Sequence, residues 1–190
     1  MLYSIFGKFI FKKPPFLVVE AGGLGFKIFV SSKTFHRLPK IGSKIKLFCY
    51  PHLRQDGLEL YGFLSEKELE IFELLNSIPS VGPKIALKIL SAGRIDGLLA
   101  AIDKNRIDIL TKISGVGKKT AHRIILELRD KIKNQVDENI IDLMDIDADI
   151  EKTLKNLGYK QSEIKDALKD IPSKISKIDE RLRMALKNLS

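Results

Sequence analysis

The sequence predicts an α+β multidomain chain: an N-terminal five-stranded barrel, a central all-α region and a small C-terminal three-helix domain. Three observations carry this. Residues 1–63 hold five short apolar runs separated by Gly- and Pro-rich turns, the signature of a small all-β unit. Residues 77–90 (SIPSVGPKIALKIL) and 112–125 (KISGVGKKTAHRII) repeat one phrase 35 positions apart, which marks an internal duplication. Residues 134–148 (NQVDENIIDLMDIDA) are acidic, and three short amphipathic segments follow them.

The N-terminal elements come first. Leu2 to Phe11 is rich in Ile, Phe and Tyr and ends at Pro14-Pro15. Phe16 to Ala21 is a second apolar run, and Gly22-Gly23 turns it into Gly25 to Val30. Ser32 to Leu38 is short and helical or irregular. Ile45 to Leu53 alternates apolar and polar, Gln55-Asp56-Gly57 is a turn, and Leu58 to Phe63 returns. A five-stranded oligonucleotide-binding barrel (OB-fold) fits this order; a small sandwich would read almost the same. Gly22-Gly23-Leu24-Gly25 lacks the third glycine and the helix of a dinucleotide fingerprint, so it reads as a hairpin turn.

From Leu64 the apolar period changes to that of helices. Ser65 followed by Glu68 is a capping box, and Leu69, Phe72, Leu75 and Asn76 carry a helix to the first copy of the repeat. In each copy Ile78 or Ile113 precedes a tight turn that Val81 or Val116 plugs, and Gly82 or Gly117 is free to adopt a left-handed backbone or to admit a close neighbour. A helix then starts, with Ala86, Ile89 and Leu90 (Ala121, Ile124 and Ile125) at buried-face spacing. Pro83 suits the first helical position. The amides at these helix starts, beside Lys84, Lys118 and Lys119, form an anion site. The pattern resembles the tandem helix-hairpin-helix, which grips nucleic-acid backbone; such contacts position a protein without reading sequence. A plain helical hairpin is the rival. A nucleotide phosphate loop is not, because Lys112 and Lys119 stand where its first Gly and its Ser/Thr belong. Segments Arg94 to Ile102 and Arg106 to Leu110 complete a helical domain over 64–133.

The acidic residues 134–148 read as a flexible linker, greasier than a plain spacer at Ile140, Ile141, Leu143 and Met144. Residues 149–190 give helices around Ile150, Leu154 and Leu157, then Ile164, Leu168 and Ile171, then Ile178, Leu182, Ala185, Leu186 and Leu189. A unit of this size is near the lower limit for folding alone. Leu157 and Tyr159 read as core, with a peptide-binding patch as the alternative.

Charge divides the same way. The chain has 190 residues, net charge +9 and 44% hydrophobic residues. Residues 1–63 are net +7, 64–136 net +4 and 137–190 net −2. A basic front and an acidic tail point to a polyanion at one end and a protein at the other. Cys49 is alone and lies in an apolar run, so no disulfide framework exists and a reducing, cytoplasmic setting is expected. No apolar stretch approaches a membrane span, and no signal peptide is evident. His36, His52 and His122 are too scattered to suggest a metal site.

The whole order resembles the RuvA family of Holliday-junction-binding proteins. The most specific stretches are Leu60-Tyr61-Gly62-Phe63, Val81-Gly82-Pro83-Lys84 and Gly115-Val116-Gly117-Lys118-Lys119-Thr120-Ala121, with Gly22-Gly23-Leu24-Gly25-Phe26 and Leu157-Gly158-Tyr159 in support. The resemblance implies a homotetramer built through the barrel (residues 1–63), holding a four-way DNA junction open and flat. It implies phosphate contacts from Gly82, Lys84, Gly117, Lys118, Lys119 and Arg123. Residues 149–190, with Leu157 and Tyr159, would dock on the RuvB ATPase, and the RuvC resolvase is a further partner. ATP would be used by RuvB, leaving this chain without cofactor or catalytic site as a subunit of an ATP-dependent branch migration helicase complex. Whether one tetramer or two clasp the junction is left open.

The family carries an acidic pair on the turn before the last barrel strand, which repels phosphates at the junction centre. Here that turn is Arg54-Gln55-Asp56-Gly57. Asp56 matches, Arg54 is expected beside it, and Gln55 replaces the usual glutamate, which implies a weaker central pin. Glu59 is expected to point along its strand and not to replace it. The enzymatic alternative is a helix-hairpin-helix repair glycosylase or lyase, with Asp130 and Lys131 after the second hairpin. It lacks an aromatic cluster for a flipped base, and the chain has no Trp. A single-strand-binding barrel would need exposed aromatic platforms.

Overall fold

Alternation of apolar and polar residues closes the first five strands on themselves. The computed structural model describes residues 2–55, 57–132, 139–169, 171–172 and 175–189. In it β1 (Ser4–Lys13), β2 (Phe16–Ala21), β3 (Leu24–Val30), β4 (Lys44–Arg54) and β5 (Gly57–Phe63) form a closed barrel in the order β1-β2-β3-β5-β4. The sandwich alternative therefore falls away. Among the described strands only β3 and β5 pair in parallel, and the connection between β3 and β4 carries α1 (Ser32–His36). Phe9, Leu17, Val19, Ile28 and Leu47 are wholly enclosed, and burying a side chain of this kind stabilises the fold by about 1.5–3 kcal/mol. Cys49 joins that core, and burial pushes its thiol up to about 11. Gly22 and Gly23 both take positive φ (58° and 77°) between the paired residues Ala21 and Leu24. That is the two-residue hairpin whose twist matches the strands. Gly62 is needed for space: a Cβ there would lie 2.5 Å from Ile28 Cγ2.

The helices begin at a cap. Ser65 Oγ accepts the Glu68 N–H at 3.2 Å, and the Glu68 carboxylate reaches back to accept the Leu64 N–H at 3.1 Å. This starts α2 (Glu66–Asn76), which lies on the barrel. The Phe72 ring packs 4.8 Å from Phe63, 5.2 Å from Tyr50 and 5.6 Å from Tyr61. Hydrogen bonds hold both ends of α2: Tyr3 Oη donates to the Glu66 carboxylate, and Asn76 Nδ2 donates to Tyr50 Oη at 3.0 Å. The barrel and the helices after it, α3 (Pro83–Ser91), α4 (Ile95–Asp103), α5 (Ile107–Leu110) and α6 (Lys118–Ile132), are therefore one compact unit, Met1–Asn134. The boundary expected after Phe63 separates two layers of that unit.

Gln135–Ser190 is a second unit. The linker expected over 134–148 is helical from Asn139, because α7 runs Asn139–Asn156; residues 134–138 lie outside the described residues. Acidic residues mask a stripe at Ile146, Ile150 and Leu154, the i, i+4 spacing of a buried face. Helices α8 (Gln161–Lys169) and α9 (Ile178–Leu189) close over Ile150, Leu154, Ile164, Ile171 and Ala185. Arg181 is 3% exposed in this small core. Its Nε and Nη2 each donate to Asp147 at 2.7 Å, and Nη1 donates to the carbonyls of Pro172 and Ile175 at 3.3 and 2.9 Å. Burial raises the Asp147 carboxyl above its ordinary value, against the pull of Arg181.

Candidate nucleic-acid interface

The repeated phrase folds into two copies of one turn. Ile78 N–H donates to Leu75 O and Val81 N–H to Ile78 O, at 3.1 and 3.0 Å; Ile113 to Leu110 and Val116 to Ile113 match them at 3.1 and 2.9 Å. Ala86 N–H to Gly82 O (3.0 Å) and Ala121 N–H to Gly117 O (2.9 Å) then open α3 and α6. Val81 and Val116 are buried plugs. Of the two roles expected for Gly82 and Gly117, the left-handed backbone is not found and the open approach remains. Gly82 is extended (φ −81°, ψ 171°), and positive φ falls two residues earlier, at Ser80 (78°) and Gly115 (95°). A turn of this shape bends before the valine, so the glycine after it serves a different need. A Cβ at Gly82 or Gly117 would meet nothing within 4 Å, and Gly82 provides no side-chain cap for α3.

Both helix starts are bare and positively charged. The first turns of α3 and α6 contain no acidic residue, and Lys84, Lys118 and Lys119 stand there exposed. A helix N-terminus already carries about half a positive charge, and a cation beside it typically costs about 0.3–1 kcal/mol. Carrying lysines at two such ends favours an external anion over internal stability. Arg123, on the same helix as Lys119, is half-buried; its Nη1 donates to Pro79 O at 3.2 Å. It thus ties α6 to the turn of the other copy. His122 faces its own helix, with Nδ1 2.9 Å from Lys118 O, and no group of residues suited to hold a metal exists among the described residues.

The β4–β5 hairpin carries the other predicted site. Arg54 ends β4, Gln55 is exposed in the turn, and Asp56 lies outside the described residues. Glu59 does not point along its strand as expected. It reaches across to Arg54, Oε1 to Nη1 at 3.1 Å, while its Oε2 accepts from Tyr61 Oη at 2.7 Å. The Tyr61 hydroxyl first, and the Arg54 guanidinium after it, hold the Glu59 carboxyl below its ordinary value, and Lys84 of the first hairpin adds to this through space. On the other face of the ribbon Leu53 and Leu58 pair directly, 80% and 59% exposed.

Comparison with known proteins covers the chain from end to end. Residues 1–62 match the RuvA N terminal domain, 72–130 the SAM-like helix-hairpin-helix tandem, and 145–190 the RuvA C-terminal domain. The Holliday junction branch migration complex subunit RuvA of Acetivibrio thermocellus is 37% identical over 200 residues, spanning 100% of this chain and 99% of its own. The protein of that name from Syntrophus aciditrophicus is 34% identical over 203 residues, covering 100% of both chains. The chain belongs to the RuvA family. A third RuvA, from Neisseria gonorrhoeae, is 37% identical over 193 residues, covering 100% of this chain and 99% of its own.

Membership of the RuvA family does not favour the glycosylase alternative, and the geometry agrees. Asp130 and Lys131 sit in the last turn of α6, roughly 20 Å along the helix from the hairpin glycine at 1.5 Å per residue. In the tail, Tyr159 packs against the core as expected. Leu157 does not: it is 64% exposed, because it follows the end of α7 and turns outward at Gly158 (φ 94°). Sequence reasoning gave Glu59 the wrong direction, which depends on strand register, and missed the buried Arg181. No described helix is long and apolar enough to cross a membrane.

Proposed function

We propose that this chain is the junction-holding subunit of a branch migration complex. Two hairpins per subunit would clasp DNA arms by their phosphates, and the barrel would gather subunits into a tetramer around the crossover. The observation that carries this is the pair of lysine-bearing, acid-free helix starts, with open space in front of Gly82 and Gly117. Such a site takes phosphate from any sequence. The relatives' shared name, a branch migration complex subunit, supports the same reading.

In this reading the chain does no covalent chemistry and binds no cofactor. Its phosphate-binding set is Gly82, Lys84, Gly117, Lys118 and Lys119, with Arg123 bracing the two turns. Arg54, Gln55 and Asp56 would stand at the crossover. The Gln135–Ser190 unit, which presents Leu157, would dock on an ATPase motor that supplies the work. A band-shift comparing four-way junction, linear duplex and single strand tests the proposal. The expected order is junction first by a wide margin, with affinity falling steeply as salt rises because each neutralised phosphate releases counterions. A monomer in light scattering with equal affinity for junction and duplex overturns it.

A further inference from the structure

We infer that Glu59 is a positioning residue: anchored by Tyr61, it holds Arg54 within the β4–β5 hairpin and so limits that arginine's contact with DNA phosphates at the crossover. This rests on the junction-binding reading above. The register pairs Tyr50 with Tyr61, His52 with Glu59 and Arg54 with Gly57. Because strand residues two apart share a face, Tyr50, His52, Arg54, Glu59 and Tyr61 lie on one side of the ribbon. That row begins in the packed cluster under α2, where Tyr61 is 2% exposed and stacked on Phe72.

Order therefore passes outward from core to tip. Tyr61 is fixed by packing, and its hydroxyl fixes one oxygen of Glu59; the other oxygen takes Arg54. An exposed ion pair is ordinarily weak, because two long side chains must be ordered together. Here the carboxylate is already ordered, and only Arg54, whose side chain is 42% exposed, has freedom to lose. Glu59 thus does more than add a negative charge. A residue that only repelled phosphates would act equally whether or not Arg54 were present.

The full-length protein is tested as wild type, Glu59→Gln, Arg54→Gln and the double variant, with binding to a four-way junction measured across a salt series. Loss of the Glu59 contact to Arg54 in Glu59→Gln tightens binding and steepens log K against log salt by about 0.9 for each added phosphate contact. The same substitution in the Arg54→Gln background leaves the slope unchanged. Tyr61→Phe, which alters no charge, moves the slope in the direction of Glu59→Gln. Equal effects of Glu59→Gln in both backgrounds, or none in the wild type, overturn the inference. The Arg54 Nε–H resonance without DNA separates this from failure of the junction reading. It should be a sharp signal in the wild type and exchange-broadened in Glu59→Gln. A signal indifferent to Glu59 overturns the positioning role whatever the DNA preference proves to be.

Discussion

Ser80 and Gly115 occupy the same place in two copies of one turn, and both hold a left-handed backbone, φ 78° and 95°. Glycine adopts this conformation at no steric cost, whereas a residue with a Cβ is strained there. The first copy therefore carries strain that the second lacks. Ser80→Gly should stabilise the Met1–Asn134 unit by about 0.5–1 kcal/mol, the left-handed penalty less the extra chain entropy of glycine. Gly115→Ala should destabilise it by about 1 kcal/mol, since the nearest atom to its new Cβ, Ile85 Cγ1 at 3.9 Å, adds no clash of its own. Urea unfolding of the two variants checks this; a destabilised Ser80→Gly would show the angle to be unimportant.

Neutralising the helix-start lysines should separate binding from folding. Lys84→Gln, Lys118→Gln and Lys119→Gln are each expected to weaken junction and duplex binding alike. The salt slope should fall by about 0.9 per phosphate contact removed. The unbound protein should melt no lower, because the lost cation sat at the positive end of a helix dipole. Anisotropy titrations at several salt concentrations, beside thermal melts, give both readouts. An unchanged slope in all three would remove these lysines from the interface.

The core of the tail contains the ion pair between Arg181 and the half-buried Asp147. Removing a partner from such a pair typically costs about 3–5 kcal/mol, because a buried charge is left uncompensated. Arg181 has a side-chain exposure of 4% against 30% for Asp147. Stranding the arginine is thus the worse error, so Asp147→Asn should destabilise the tail more than Arg181→Met. In a unit this small either loss approaches its whole stability. Limited proteolysis should cut within Gln135–Ser190 while the N-terminal unit stays intact and junction affinity holds. Equal resistance in wild type and Asp147→Asn would sink the argument.

Gln55 is exposed in the turn that the proposed function sets at the crossover. Gln55→Glu adds one carboxylate per subunit at an exposed turn, four in the tetramer proposed above. Near a wet surface each charge pair is worth on the order of 1–4 kcal/mol before screening, so junction binding should loosen or spontaneous branch migration slow. Strand-exchange rates on a mobile junction measure this. Identical affinity and rate would show that the turn does not approach phosphate.

Much of this was legible because the relevant signals are local. Period-two alternation and Gly or Pro at each corner located the five strands, and the repeat located both hairpins with their valine plugs. What escaped detection depends on residues far apart in sequence. The start of α7 was hidden because Ile146 and Ile150 are separated by acidic residues, which read as solvated chain until Asp147 is seen to meet Arg181. Glu59 was misjudged because its direction follows from which face of the ribbon Tyr61 occupies, a matter of register. Of the two roles open to Gly82, a left-handed backbone or room for a close neighbour, only the second fits, because the left-handed bend falls on Ser80, a residue type that gives no sign of it in sequence.

Helix α2 is fastened at its first turn by Tyr3 and Glu66, at its last by Asn76 and Tyr50, and along its length by Phe72. The first hairpin follows it directly, with no slack between. In the proposed function, tension on a duplex held at the first hairpin would travel down this stiff strut into the barrel wall.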